Sequence, residues 1–326
     1  MYYIPSHGIR MYFKMNSGFL LKRMLHTNTQ PLLNSVKEVE IKVPGWQIKG
    51  KLWGPEDKQP ILALHGWQDN AGSFDALAPI LSENTPILAI DLPGHGLSSW
   101  LPTGMMYNNI MYILLIKRIQ NYFGWDKIKI MGHSFGGFLS FYYASLLPKD
   151  MEYVILLDVP LLSMPISRTK YNKYFSENIS KFIEMDEFTS KPKYTETEII
   201  TRLMAGMKNS LNEASCRMLM KRGATKEENG TYTFNRDPRI KYLPLLSQFI
   251  TEDIQMSAEC MTSPCLLISA TKSHLYNEAD VSKCVNLMKD NKTVYWEKVE
   301  GLHHVHMMDP KAVANIIFSF LQKYNK

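Results

Sequence analysis

The sequence lacks several features that would place it in a specialised class. Its four cysteines, Cys216, Cys260, Cys265 and Cys284, form no CxxC pair and have no zinc-ligand spacing. We interpret them as free thiols in a reducing compartment. The longest apolar run, Ile110–Ile116, is far shorter than the about 20 residues of a membrane-spanning helix. Disulfide scaffolds, zinc fingers and transmembrane spans are therefore not expected, and there are no internal repeats.

Charge of one sign is also not concentrated enough to indicate nucleic-acid binding. The chain has 326 residues, with 37 Lys and Arg against 31 Asp and Glu, for a net charge of +6. These charges are scattered along the chain, so no nucleic-acid partner is implied. Hydrophobic residues make up 45% and charged residues 21%, which excludes disorder, collagen and coiled coil as descriptions of the whole chain.

The first 37 residues contain no Asp or Glu, although they contain five Lys and Arg. Residues 16–27 are basic and apolar with a rough helical period, which resembles a mitochondrial transit peptide. The alternative is an untargeted, poorly ordered extension. Met1, Met11, Met15 and Met24 leave the start methionine open. We expect an intracellular protein, cytoplasmic or mitochondrial, with the peroxisome as a further option.

Hydrophobic patterning predicts an α/β fold. Residues 39–43 and 46–53 alternate apolar and polar side chains around Pro44-Gly45, which predicts an antiparallel hairpin. Later apolar runs lack this alternation and are typical of strands in a parallel sheet that helices cover on both faces. They lie at residues 60–65, 87–91, 128–132, 153–158 and 265–269. Helical patterns lie between them at residues 73–82, 107–123 and 138–147, and later at 279–289 and 310–324.

The alternation of strand and helix stops at residues 161–250, which are charged and helical in tendency. We predict that this segment is a lid or cap inserted after the sixth strand. The core would then comprise residues 38–160 and 251–326, preceded by the extension 1–37. Such an insertion would lie over the carboxyl ends of the strands, where sheets of this kind bind ligands.

One motif predicts a catalytic nucleophile. Gly132-His-Ser134-Phe-Gly136 follows a strand and precedes a helix, the context in which G-x-S-x-G forms a tight nucleophile turn. The turn needs glycine two residues before and two residues after Ser134, because a larger side chain would clash at these positions. Two backbone N–H groups should then face the substrate oxygen that becomes negatively charged. They are the N–H of Phe135 and the N–H of Trp67, which lies in the loop His65-Gly66-Trp67.

A serine nucleophile needs an adjacent base. The loop after the last strand contains three histidines, His303, His304 and His306. Spacing from the preceding glycine favours His303 as the base, with His304 as the alternative and His306 as a brace of the loop. Three clustered histidines could also bind a metal, but no carboxylate–histidine pattern accompanies them, so we expect none.

Taken together, these motifs resemble those of the α/β-hydrolase superfamily over residues 38–326. Within it the chain is similar to the serine hydrolase-like (kraken-type) group. The resemblance is carried by His65-Gly-Trp-Gln-Asp-Asn-Ala-Gly-Ser-Phe-Asp75, Asp91-Leu-Pro-Gly-His-Gly96, Gly132-His-Ser-Phe-Gly-Gly137 and Phe234-Asn-Arg-Asp-Pro-Arg239. It implies an ester-type hydrolase with a helical cap and no metal or organic cofactor. Haloalkane dehalogenases and soluble epoxide hydrolases look similar but have Asp at the position of Ser134.

The acid of the predicted triad departs from the family pattern. Such families usually carry it after the seventh strand, where this sequence has Ser273. Some relatives carry it after the sixth strand, where this sequence has Asp158. We expect Asp158 to orient His303 and stabilise its cation; alternatively it only anchors the entry to the cap. Glu278 and Asp280 are the other candidates.

Two arginines of the predicted cap have two interpretations. Arg236 or Arg239 could bind an acidic group of the substrate, or either could form an ion pair with Asp237 or with a core carboxylate. Similarly, the methionines and aromatic residues of this segment could line an acyl pocket, although such residues more often pack a cap on its core.

The sequence therefore predicts a serine hydrolase of small or medium carboxylic esters or thioesters. The alternatives are a non-catalytic binding protein of the same fold, which the missing acid at Ser273 would favour, and a lipase, which would be activated at an oil–water interface. The expected partner is a small-molecule substrate, and the oligomeric state stays open.

Overall fold

The computed structural model describes residues 36–161, 168–187, 190–242, 251–288 and 293–324. The predicted N-terminal extension lies outside these ranges except for Val36 and Lys37, which already belong to the first strand. Among the described residues, no helix is both long and apolar enough to cross a membrane, and all four cysteines are free.

An eight-stranded sheet forms the centre of the fold. Its strands are β1 (Val36–Val43), β2 (Trp46–Trp53), β3 (Ile61–Leu64), β4 (Ile87–Ile90), β5 (Ile128–His133), β6 (Met151–Leu157), β9 (Cys265–Ala270) and β10 (Val294–Val299). The spatial order is β1-β2-β4-β3-β5-β6-β9-β10. β1 pairs antiparallel with β2, and β2 with β4. From β4 to β10 all neighbours are parallel, as predicted.

Helices cover both faces of this sheet. They are α1 (Ala78–Leu81), α2 (Asn109–Phe123), α3 (Phe135–Leu146), α7 (Thr251–Glu259), α8 (Glu278–Leu287), α9 (Val305–Met308) and α10 (Pro310–Tyr324). The two faces bury separate clusters because side chains alternate along each strand. Leu62 and Leu64 pack with Leu115 on one face, while Ile61 and Ala63 pack with Ile317 on the other.

Two of the predicted helices differ from the structure. The predicted helix 73–82 is two short turns, a 3₁₀ turn at Ala71–Phe74 and α1, because Pro79 lies at the start of α1 and resets the hydrogen bonding there. The predicted helix 138–147 begins earlier, at Phe135. Gly136 and Gly137 lie in its first turn, where they allow the tight turn at Ser134 without interrupting the helix.

Between β6 and β9 the chain runs through α4 (Arg168–Asp186), α5 (Glu196–Gly206) and α6 (Glu213–Gly223). A small antiparallel hairpin follows, β7 (Ala224–Lys226) with β8 (Tyr232–Phe234), two strands that the hydrophobic patterns did not predict. These elements have their own apolar cluster, which includes Ile199, Leu203 and Leu219.

Two buried arginines hold this insertion in place. Arg222 joins it to the sheet region, and Arg239 joins its acidic residues to the carbonyl oxygens of Leu101 and Pro102 in the core. Arg222 of α6 donates to Asp91, which follows β4, at 2.8 Å, and also reaches Glu38 of β1 at 2.6 Å. Arg239 pairs with Asp237 at 2.7 Å and with Asp186 at 2.9 Å. Both arginine side chains are about 5% exposed or less. Buried charges of this kind are costly to break one partner at a time, so they fix where the insertion lies.

Candidate active site

Ser134 lies in the turn between β5 and α3. Its backbone has φ +51° and ψ −114°, a strained conformation for a residue with a side chain. The neighbouring glycines allow this turn. A Cβ on Gly132 would stand 2.3 Å from the carbonyl oxygen of Gly136, and one on Gly136 would stand 2.2 Å from that of Leu64. Close backbone packing therefore holds Ser134 at the carboxyl end of the central strands.

His303 lies within hydrogen-bond distance of Ser134. It stands on the loop between β10 and α9, with its Nε2 2.8 Å from the Ser134 Oγ. Its Nδ1 is 2.6 Å from Oδ2 of Asp158. Because a carboxylate only accepts hydrogen bonds, Nδ1 carries the proton and Nε2 of the neutral ring can accept from the serine hydroxyl. The structure thus brings together the three residues that the sequence proposed as a triad.

Asp158 follows β6 directly and adopts φ +45°. Its Oδ1 accepts a hydrogen bond from the Ala270 N–H at 2.9 Å, so both carboxylate oxygens are used. Ser273, at the position where a carboxylate was expected, interacts with Asp158 and helps to lower its pKa. The alternative acids lie elsewhere: Glu278 pairs with Lys298 at 2.7 Å, and Asp280 lies half-buried in the first turn of α8.

Burial and charge act in opposite directions on these two groups. Burial lowers the pKa of His303 to about 4, although the hydrogen bond to Asp158 acts to raise it. Burial would raise the pKa of Asp158, but the hydrogen bond from His303, together with the positive charge that this ring acquires in acid, holds it below its usual value. At neutral pH the pair is therefore a neutral imidazole beside a carboxylate, the state in which the imidazole can accept a proton.

Two backbone N–H groups border the site near Ser134. Phe135 is the first residue of α3, so its N–H lies at a helix start, where no intrahelical acceptor exists. The Trp67 N–H has no acceptor among the described residues. Gln68, the next residue, has φ +67°, which shows how sharply this loop turns. Trp67 and Ser134 line the same pocket.

The neighbouring His304 belongs to a second serine–histidine–aspartate arrangement. Its Nδ1 is 2.6 Å from the Ser210 Oγ, and its Nε2 is 3.3 Å from Oδ2 of Asp69. The Ser210 hydroxyl donates to the Met207 carbonyl at 2.6 Å, so its oxygen accepts from Nδ1–H of His304. Sequence reasoning missed both Asp69 and Ser210, although Asp69 stood within the loop motif that it quoted.

Asp69, His133 and His304 are the described residues that could hold a metal ion, since one ligand atom from each lies within 4.8 Å of the others. His133 Nε2 is 3.0 Å from the His303 carbonyl oxygen, to which it can donate. The His133 Nδ1 is 3.7 Å from Asp69 and has no hydrogen-bond partner. The sequence showed no carboxylate near the clustered histidines, but the fold brings the Asp69 carboxylate next to two histidines.

His306, the third histidine of the loop, does not line the pocket that contains Ser134. It is fully buried, and its Nε2 is 2.8 Å from the Ser73 Oγ. Burial, together with the neighbouring histidines, lowers its pKa well below the ordinary value. His306 therefore links its loop to the 3₁₀ turn Ala71–Phe74, as expected of a brace.

An open pocket of about 850 Å³ leads to Ser134 and His303. One wall comes from the loop Gly66–Asp69 and from the two catalytic candidates. The other comes from the insertion, including Tyr194, Leu203, Met207 and Phe234. A volume of this size suits a small or medium ligand. The insertion therefore forms part of the site.

Comparison with known proteins agrees with this architecture. The family model described as alpha/beta hydrolase fold matches residues 59–310. The chain belongs to the α/β hydrolase fold family. It is 37% identical over 300 residues to a probable serine hydrolase of Drosophila melanogaster, covering 89% of each chain. It is 31% identical to a serine hydrolase-like protein of Danio rerio, covering 91% of this chain and 92% of that one.

Solved structures show the same fold. A hypothetical protein from Pseudomonas aeruginosa PAO1 matches with a TM-score of 0.76 and 28% identity, covering 87% of this chain and 99% of that one. The thioesterase domain from the curacin biosynthetic pathway matches with a TM-score of 0.73 and 21% identity, covering 87% of this chain and 100% of that one. The predicted fold class and family resemblance are thus confirmed.

Proposed function

We propose that this α/β hydrolase is a serine hydrolase that cleaves carboxylic esters or thioesters through an acyl-enzyme. The observation that carries the proposal is the hydrogen-bonded chain from Ser134 through His303 to Asp158, with 2.8 and 2.6 Å between the bonded atoms. Serine hydrolase names among the relatives support the same class.

The reaction follows from these contacts. The Ser134 Oγ attacks the acyl carbon while His303 Nε2 takes its proton, and Asp158 stabilises the imidazolium that forms. The carbonyl oxygen becomes an oxyanion next to the N–H groups of Trp67 and Phe135. Collapse of the intermediate expels the alcohol or thiol, which receives the proton from His303. A water molecule, activated by the same histidine, then releases the acid and restores the serine hydroxyl.

The position of Asp158 also weakens the main argument for a non-catalytic binding protein. That alternative depended on the missing carboxylate at Ser273, but a carboxylate does reach His303 from the end of β6. A protein that only bound ligands would not need an imidazole held between a carboxylate and a serine hydroxyl. A lipase would use the same chemistry and would differ by activation at an oil–water interface.

Hydrolysis of para-nitrophenyl butyrate and of the thioester butyryl-N-acetylcysteamine tests the proposal. The wild-type chain should release acid from at least one of them, and Ser134→Ala should lose this activity. Ser210→Ala is the matched control, because it also removes a buried hydroxyl beside a histidine. Equal activity in wild type and Ser134→Ala, after purification to homogeneity, would contradict the proposal. Emulsified tributyrin in place of the soluble ester tests the lipase alternative.

A further inference from the structure

The pocket that contains Ser134 is rich in positive charge. Five cationic side chains line it, and only two carboxylates do. The cations are Lys191, Arg202, Lys208, Arg236 and Lys241, and the carboxylates are Asp69 and Asp237. All five cations come from the insertion between β6 and β9, and they lie within 51 positions of one another in a chain of 326 residues. The fold therefore brings these five cations together around one pocket.

Neither carboxylate forms an ion pair with any of these cations, although the charge of Asp69 acts on Arg236 and opposes the lowering of its pKa by burial. Asp69 lies 3.3 Å from His304. Asp237 accepts hydrogen bonds from the Tyr107 hydroxyl at 2.7 Å and from Arg239 at 2.7 Å. Among the described residues, no carboxylate lies within 4 Å of the charged nitrogens of the five cations. The chain outside the described ranges contains a single acidic side chain, Asp290, so this part of the pocket carries excess positive charge.

Arg236 differs from the other four cations because it is half-buried rather than exposed. Its guanidinium lies 4.0 Å from the centre of the Phe234 ring, which holds the planar group in place. Burial lowers the pKa of Arg236 to about 10, so the group stays charged at neutral pH. A half-buried cation without a carboxylate partner is unfavourable unless something else supplies the opposite charge.

Arg239, three residues later, shows the contrast. Its guanidinium is occupied by Asp237 and Asp186 and by the carbonyl oxygens of Leu101 and Pro102. It therefore has a structural role, and it does not line the pocket. The two alternatives that the sequence left open for this pair of arginines thus divide between them: Arg239 forms the ion pair, and Arg236 faces the pocket.

We propose that the pocket binds acyl substrates that carry a carboxylate or phosphate group, with Arg236 as the group that anchors the anion. The planar guanidinium suits both anions because it can donate two parallel hydrogen bonds to either. The exposed cations around it would attract such substrates from solution. This proposal rests on the proposed function, because it assumes that the ligand is cleaved at Ser134.

Two matched substrate pairs test the proposal and separate the two sides of the scissile bond. The first pair is the para-nitrophenyl ester of butyric acid and the para-nitrophenyl monoester of glutaric acid, which differ by a carboxylate on the acyl side. The second pair is butyryl-pantetheine and butyryl-4′-phosphopantetheine, which differ by one phosphate on the leaving group. In at least one pair, we expect the anionic member to have a kcat/KM about tenfold or more above the neutral member.

Arg236→Gln should reduce that preference by about tenfold to a hundredfold, the loss expected for a charge-assisted hydrogen bond. Arg118→Gln is the matched control, because Arg118 also stacks on an aromatic ring, Trp46, but lies outside the pocket. The control should keep the preference of the wild type. If Arg236→Gln does not fold, the ionic strength dependence of the wild type replaces it. The kcat/KM of the anionic member should fall with added salt, while that of the neutral member stays constant.

Labelling with a fluorophosphonate separates the failure of this proposal from failure of the proposed function. If Ser134 is labelled but both pairs show equal kcat/KM with no salt dependence, the anionic-substrate proposal is wrong and the hydrolase remains. If the folded wild type is not labelled and hydrolyses none of the four substrates, the proposed function is wrong and this proposal falls with it.

Discussion

Two serine–histidine–aspartate arrangements lie side by side in this protein, built on adjacent histidines. In the first, His303 joins Ser134 and Asp158. In the second, His304 joins Ser210 and Asp69. The residue types are the same, so residue identity does not decide which set is catalytic. The backbone around each serine and the hydrogen bonds already made by its hydroxyl decide it.

The two serines differ in what their hydroxyl groups can do. Ser134 occupies a strained turn at a helix start and lines the pocket. Ser210 lies in the loop between α5 and α6, is 2% exposed, and donates its proton to the Met207 carbonyl. Its histidine also presents the opposite nitrogen: Nδ1 of His304 faces Ser210, whereas Nε2 of His303 faces Ser134. We therefore infer that the second arrangement serves structure and the first serves chemistry.

Replacing the two aspartates should separate the arrangements most strongly. Asp158→Asn should reduce kcat by about a thousandfold to ten-thousandfold, because the amide no longer stabilises the imidazolium or fixes its tautomer. Asp69→Asn should reduce kcat by less than about tenfold. Steady-state kinetics on one ester, with circular dichroism to confirm folding, measures both. Equal losses of kcat in the two variants would show that the two arrangements do not differ in their contribution to catalysis.

Moving the carboxylate from position 158 to position 273 tests whether His303 can be oriented from either strand end. Ser273 interacts with Asp158, so an aspartate at 273 would bring a carboxylate close to His303. We expect the double variant Asp158→Asn/Ser273→Asp to have a kcat at least about tenfold above that of Asp158→Asn. Ser269→Asp in the same background is the control, since Ser269 contacts Trp296 instead. Recovery in the control alone would show that a carboxylate at 273 does not reach the imidazole.

The fold and the site were predictable from the sequence to different degrees. Ser134 and Asp158 could be named because each directly follows an apolar strand of a parallel sheet, and such strand ends meet at one edge. Asp69 and Ser210 could not, because neither directly follows a strand. Asp69 lies within the loop after β3, and Ser210 lies in the loop between α5 and α6, whose position depends on how the insertion folds. Of the cations around the pocket, the sequence indicated Arg236 as one of two candidates. The other four were unpredictable, since their positions depend on how the insertion folds and not on local pattern.

Removing the second serine should cost stability and leave the chemistry unchanged. Ser210→Ala leaves the buried Nδ1–H of His304 without an acceptor, which should lower the free energy of unfolding by about 1–3 kcal/mol. Urea denaturation at neutral pH measures the loss. Ser176→Ala, whose exposed hydroxyl bonds only the carbonyl of its own helix, is the control and should change stability by less than about 0.5 kcal/mol. A loss of kcat larger than about tenfold in Ser210→Ala would contradict the structural role.

The smallest expected effect is on the pH dependence of the first arrangement. Because burial lowers the pKa of His303 to about 4, the imidazole stays neutral and able to accept a proton well below its ordinary pKa of about 6.5. The kcat/KM for a neutral ester should therefore change by less than about twofold between about pH 7.5 and about pH 5.5, and fall only below that range. An apparent pKa of about 6.5 or higher in this profile would show that His303 is not held neutral by burial.

Stability should respond to the same shift. The folded pKa of His303 lies below its unfolded value, so the unfolded chain takes up the proton first on acidification. The contribution to stability is complete above about pH 6.5 and decreases as the pH falls from there towards about 4. Urea midpoints across this range measure it. His303→Gln should flatten the dependence slightly, whereas a steeper dependence in that variant would contradict the shift.

The intact mass of the full chain after incubation with a fluorophosphonate, followed by peptide mapping, tests most directly which serine is activated. We predict one adduct per chain, on Ser134. The adduct should be absent in Ser134→Ala and His303→Ala, and present in Ser210→Ala. An adduct on Ser210, or no adduct on a folded wild type, would contradict the central claim that only the arrangement around His303 activates its serine.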